Sequence, residues 1–142
     1  MSGDERGMSP ALELTVLLPA LVMLIMLVVG ASRIWWAQWS VRAAADSAAR
    51  QASISRTAGE AVTSAEALVR GDAASSGLRC SDGLTVTVDA AGFGVPVGQP
   101  ASVGATVRCG VALSDLFLPG WPGTYRAEAS ARSTLDRYRG RR

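Results

Sequence analysis

Two cysteines, Cys80 and Cys109, and an acid at the edge of a long apolar run, Glu13, are the residues whose type and placement single them out in this chain. Other chemistry is bounded by what is missing. There is no histidine, so the commonest general base and metal ligand is absent, and no Ser–His or Cys–His pair can form. Two cysteines alone do not make a structural zinc site. The carboxylates are scattered, and nothing in their spacing brings two of them to one pocket. Gly92-Phe-Gly94-Val-Pro-Val-Gly98 lacks the spacing of a phosphate-binding loop and reads as a turn. A net charge of +2 is too small for a dedicated nucleic-acid binder. These observations predict a non-enzymatic protein with no cofactor, no metal, no nucleic-acid partner and no evident small-molecule substrate.

The elements that would position these residues begin with the apolar run. Leu14 to Ala31 reads LTVLLPALVMLIMLVVGA and holds no ionisable side chain; Glu13 closes it on one side and Arg33 on the other. At about 1.5 Å per residue it spans roughly 28 Å, close to the ~30 Å of a bilayer's hydrocarbon core. Pro19 falls near the helix start, where a spanning helix accommodates it. Arg33, Trp35, Trp36 and Trp39 follow directly, placing three of the four tryptophans where an interfacial anchor belongs. A secretory signal cut after Ala31 is the competing reading, but the run is longer than a usual h-region and Arg6 is the one basic side chain before it. The run carries much of the 49% apolar content of a 142-residue chain.

Beyond it, Ala-rich sequence continues as helix. The spacing predicts a long helix from about Glu13 to Ser53 and a break near Arg56. A shorter helix then ends before Gly71, started by the capping-box pattern Thr57-Ala-Gly-Glu60. Ala58, Ala61, Val62, Ala65, Leu68 and Val69 form its apolar stripe. After Asp72–Gly77 the period changes to two. Leu84, Val86 and Val88, then Val103 through Leu113, then Tyr125 through Ala131 alternate apolar with polar, as half-buried strands do. Gly- and Pro-rich loops separate them.

The fold expected is α+β: an N-terminal transmembrane helix continuing into an Ala-rich helix, followed by a small antiparallel β-sheet domain. The chain divides into a leader or cytoplasmic segment over 1–12, a transmembrane helix over 13–33 and an Ala-rich helical stalk over 34–70. A linker over 71–77, a β domain over 78–136 and a basic tail over 137–142 complete it.

So small a sheet is hard to stabilise unaided. A Cys80–Cys109 bridge would close a loop of about 30 residues and contribute roughly 3–4 kcal/mol; two free buried thiols are the alternative. Arg33 and Arg42 on the C-terminal side slightly favour a cytoplasmic sheet, but disulfides persist outside the cytosol, which places it extracytoplasmically. Phe117, Leu118, Pro119 and Trp121 form an apolar loop patch that covers the sheet or meets a partner or lipid. Arg137, Arg139, Arg141 and Arg142 read as a solvated tail.

The stretch RGMSPALELTVLLPALVMLIMLVVGASRIWWAQ, with VRAAADSAARQAS after it, resembles the TadE-like pilus-assembly family, pilin-like subunits of Flp/Tad systems. The likeness covers about the first 55 residues, and the closing STLDRYRGR is also similar to the tails of such proteins. The resemblance implies leader processing after Gly7 or Met8. It also implies that the Glu13 carboxylate pairs with the freed amine of a neighbouring subunit in a low-dielectric setting. The implied partners are the lipid bilayer and other pilin-like or Tad-machine membrane proteins. The implied location is the cytoplasmic membrane, as a single-pass protein with its C-terminal domain extracytoplasmic. The alternative is a membrane-tethered extracytoplasmic binding module unrelated to pili.

Overall fold

The structure, a computed structural model, describes residues 9–116, 120 and 122–138, with side chains from Leu14 onward in the first helix. It is α+β. Helix α1 (Ser9–Ile54) and helix α2 (Ala58–Ser76) precede strands β1 (Leu84–Asp89), β2 (Ala101–Ala112) and β3 (Thr124–Leu135). The strands form one antiparallel sheet in the order β1-β2-β3.

Helix α1 is a continuous rod of 46 residues with Pro19 inside it, about 69 Å long at 1.5 Å per residue. Its two halves meet different surroundings. From Leu14 to Val28 the large apolar side chains are 37–70% exposed. From Ala37 onward one face is sealed: Ala37, Val41, Ala45, Ala48, Ala49 and Ala52 are buried. Their spacing of three, four and seven puts them on one stripe. Among the described residues α1 is the one helix long and apolar enough to cross a membrane.

The stripe packs against the sheet's inner face, where Val103, Ala105, Val107, Cys109, Ala127 and Leu135 join it in one core. Small residues on both sides let the helix axis approach the strands closely. Each fully buried valine (Val41, Val69, Val103, Val107) contributes on the order of 1.5–3 kcal/mol. The outer face of the sheet is polar, with Thr85, Thr87, Arg108 and Glu128 exposed or half-buried. The alternation legible in the sequence therefore matches the register, in which Leu84 faces Cys109 and Cys109 faces Ala127.

Two hydrogen bonds orient the rod on the sheet. Gln38 Nε2 donates to the Glu128 carbonyl at 3.0 Å, and the Ser133 hydroxyl donates to that of Ser53 at 3.0 Å. β3 thus runs parallel to α1, and the start of β3 lies toward the bare end of the rod. Helix α2 folds back along α1, held at the turn by the Ser55–Ser64 hydroxyl contact of 3.2 Å, and buries Ala61, Ala65 and Val69.

The break between the helices falls where the capping pattern places it. Thr57 accepts from the Glu60 N–H at 3.1 Å, and the Glu60 carboxylate accepts from the Arg56 N–H at 3.0 Å. The end of α2 differs from expectation. The helix does not stop before Gly71 but continues to Ser76. A lone glycine costs about 1 kcal/mol in a helix interior, which the neighbouring alanines absorb. The stop is at Gly77, whose φ of 71° suits glycine; its N–H and that of Leu78 both turn back to the Ala73 carbonyl.

The Cys80–Cys109 disulfide is formed, across 29 residues. It ties the α2–β1 connection to the inner face of β2, and Ser81 N–H adds a 2.7 Å bond to the Gly110 carbonyl. The Gly92–Gly98 stretch is a short 3-10 turn at Ala91–Gly94 followed by a bend. Any side chain at Gly92 would overlap the Ser102 carbonyl.

Two outcomes follow. Ala45→Leu should wedge the helix off the sheet and cost about 1–3 kcal/mol, seen as a lower thermal midpoint of the full chain in detergent by circular dichroism. Replacing both cysteines by alanine should lower the unfolding free energy by about 3–4 kcal/mol on the loop-closure estimate, read from denaturant titration; an unchanged midpoint would show that the bridge is not a staple.

Candidate functional site

The residues expected to act at a membrane surface collect where the bare half of α1 meets the folded body. Trp35, Trp36 and Trp39 are 77%, 56% and 63% exposed, so none is part of the core. Trp36 and Trp39 lie one turn apart with ring centroids at 6.4 Å. An exposed tryptophan is apolar over its ring and polar at its N–H, which suits a boundary between lipid and water.

Arg33 is held by a partner the sequence did not suggest. Its Nη1 donates to both oxygens of Asp115, at 3.0 and 2.7 Å, across 82 residues of chain. Asp115 sits in the 3-10 turn Ser114–Leu116 that leaves β2, and Leu116 is buried beneath it. The hydrogen bond from Arg33 holds the Asp115 carboxyl below its ordinary range, against a smaller opposing effect of burial. This exposed pair clasps the end of β2 to α1 at the foot of the body.

A second exposed pair lies on the outer face of the sheet. Arg108 donates to Glu128 at 2.9 Å, which lowers the Glu128 carboxyl and raises the Arg108 guanidinium further. Exposed pairs of this kind add little to stability singly.

Of the other expected site residues, Glu13 lies in the helical run of α1, and its side chain is outside the described residues, as are Gly7 and Met8. Phe117, Leu118, Pro119 and Trp121 and the tail residues Arg139, Arg141 and Arg142 are outside them too. Arg137 is in a turn, its carbonyl accepting from the Gly98 N–H at 2.9 Å. The disulfide brings Cys80 and Cys109 together. Among the described residues no cluster of His, Cys, Asp or Glu could hold a metal ion. Asp115 and Gln38 carried no signal in the sequence, because their partners are distant along the chain.

The two carboxylates set a pH dependence. Both have folded-state values below the ordinary ones, so their contribution to stability is present above pH about 4 and is lost as pH falls through the folded values. Arg33→Gln should return the Asp115 titration midpoint toward its ordinary value, measured by carboxyl-carbon NMR. It should leave Glu128 low, and flatten part of the acid-side fall in thermal midpoint.

No curated protein and no solved structure matches the chain. A family model described as TadE-like protein matches residues 9–50. That segment is nearly all of α1, from the bare apolar half through the tryptophans to the stripe beneath the sheet. Over this helix the chain is similar to TadE-like proteins.

Proposed function

We propose that this protein is a non-enzymatic, single-pass membrane subunit of a Flp/Tad-type pilus-assembly or secretion apparatus. In this reading residues 13–33 span the cytoplasmic membrane and the sheet faces the extracytoplasmic side. The observation that carries it is the division of α1: one rod whose stretch from Leu14 to Val28 is exposed and holds no ionisable side chain, and whose second half is built into a folded body. A helix bare of protein contacts over this length would be insoluble in water and is at home in lipid. The similarity to TadE-like proteins over the same helix supports an apparatus of the Flp/Tad type.

The disulfide supports this orientation. Cys80–Cys109 is a bond that an oxidising space maintains and a reducing cytosol does not. Glu13 is assigned the charge-pairing role at the membrane edge, toward the amine of a neighbouring subunit exposed by processing after Gly7 or Met8. Arg33 and the three tryptophans set the depth of the rod. The partners in this reading are the bilayer and other pilin-like or Tad-machine membrane proteins.

Detergent extraction followed by affinity capture of the tagged full chain tests this. The expected result is recovery of pilus-machine membrane proteins, reduced by Glu13→Gln, together with a Cys80–Cys109 bridge in cells and cleavage of the sheet by protease added outside spheroplasts. Capture of no pilus-machine protein, or thiols that label from the cytoplasmic side, would overturn it.

A further inference from the structure

At the foot of the folded body an open groove of about 670 Å³ lies between α1 and the end of the sheet. One wall is α1 at Arg33 and Trp36; the other is Leu78 and Arg79, leading into the disulfide, with Val111 and Asp115 at the end of β2. Its floor is apolar and its rim is charged. Two guanidiniums against one carboxylate leave the rim cationic.

The two arginines are available to a ligand in different ways. Arg79 is exposed and makes no ion pair among the described residues. Arg33 spends one nitrogen, Nη1, on both oxygens of Asp115. Its remaining N–H groups have no other partner among the described residues, and a guanidinium carries five in a planar fork that suits phosphate oxygens. Along α1 from Arg33 toward the N-terminus, Val29, Met26 and Val22 share its face at four, seven and eleven residues. Val22 and Met26 are 44% and 37% exposed. The cationic rim therefore leads past half-buried Val29 onto an exposed apolar track at Met26 and Val22.

We propose that this groove seats an anionic phospholipid, its phosphate between Arg79 and Arg33, its glycerol region against Trp36, and an acyl chain along Met26 and Val22. The proposal rests on the reading that Leu14–Ala31 lies in lipid. Charge complementarity selects the headgroup, and continuity with the apolar track selects a lipid over a free phosphate. The lipid would fix the rotation of the rod about its axis, because the groove opens on one side of it.

The test uses the full chain with its disulfide intact, reconstituted into vesicles of phosphatidylcholine alone or with part of it replaced by phosphatidylglycerol. Flotation after an alkaline wash reports insertion, and native mass spectrometry of the released protein reports retained lipid. Phosphatidylglycerol should be retained in preference to phosphatidylcholine. Arg79→Ala should reduce that preference about five-fold, the effect expected for one basic residue at a membrane surface. Arg56→Ala removes the same charge at the far end of α1 and should leave the preference intact; Asp115→Asn, which releases Arg33, should raise it. Glycerol phosphate in solution should not displace the lipid.

Flotation with no preference for phosphatidylglycerol overturns the headgroup site and leaves the anchored reading standing. Equal losses from Arg79→Ala and Arg56→Ala overturn it as a general charge effect, and displacement by glycerol phosphate overturns the lipid as occupant. Failure to float on phosphatidylcholine overturns the anchored reading and the site with it.

Discussion

The structure depends on the alanine-lined contact between the second half of α1 and the inner face of the sheet. One rod has to satisfy two environments, and only close packing at this contact lets it do so. Ala37, Ala45, Ala48, Ala49 and Ala52 on the helix meet a sheet face whose third strand is itself small, with Ala127, Ala129 and Ala131. Small residues keep the axis near the strands, and Val41, Val103 and Val107 are the larger side chains fully buried between them. A larger side chain on either surface would separate the layers and expose both.

The rest of the body closes around that contact. Helix α2 covers the flank that α1 leaves open, capped at Thr57 and stopped at Gly77. The disulfide then fixes the chain's passage from α2 into β1 against the buried side of β2. A three-stranded sheet with one covered face and one polar face has little apolar area of its own. Its stability is borrowed from the helix, so sheet and helix form a single cooperative body rather than a domain on a stalk. The polar outer face, with its Arg108–Glu128 pair and its Thr106–Ser130 hydroxyl contact of 2.9 Å, is left to water.

At the foot of this body the physical demands change over a few residues. Beyond Ala37 one face of the helix is buried by protein, and from Leu14 to Val28 the helix is exposed and uncharged. Between them sit the three exposed tryptophans, the Arg33–Asp115 clasp and the groove that Arg79 borders. The clasp joins α1 to the end of β2, so the tilt of the sheet relative to the rod is set at the level where lipid would end.

The sequence by itself determined what is local. The uncharged stretch from Leu14 to Ala31, the tryptophans after it, the Thr57–Glu60 cap and the period-two strands were all legible, because each depends on side chains within a turn or two of one another. The disulfide was legible as well, since the chain holds two cysteines and a sheet in need of a staple. The reach of α2 past Gly71 was not, because the glycine's local cost is small beside the packing and flanking alanines that continue the helix. Nor was the stripe from Ala37 to Ala52 legible as half of a core, since an alanine face reads equally as a solvated stalk. Only the tertiary structure decided that α1 lies on β2 and β3, that Arg33 meets Asp115 across 82 residues, and that Arg79 faces the same groove. Such pairings are set by the path of the chain through space, and no short-range pattern of residue types encodes that path.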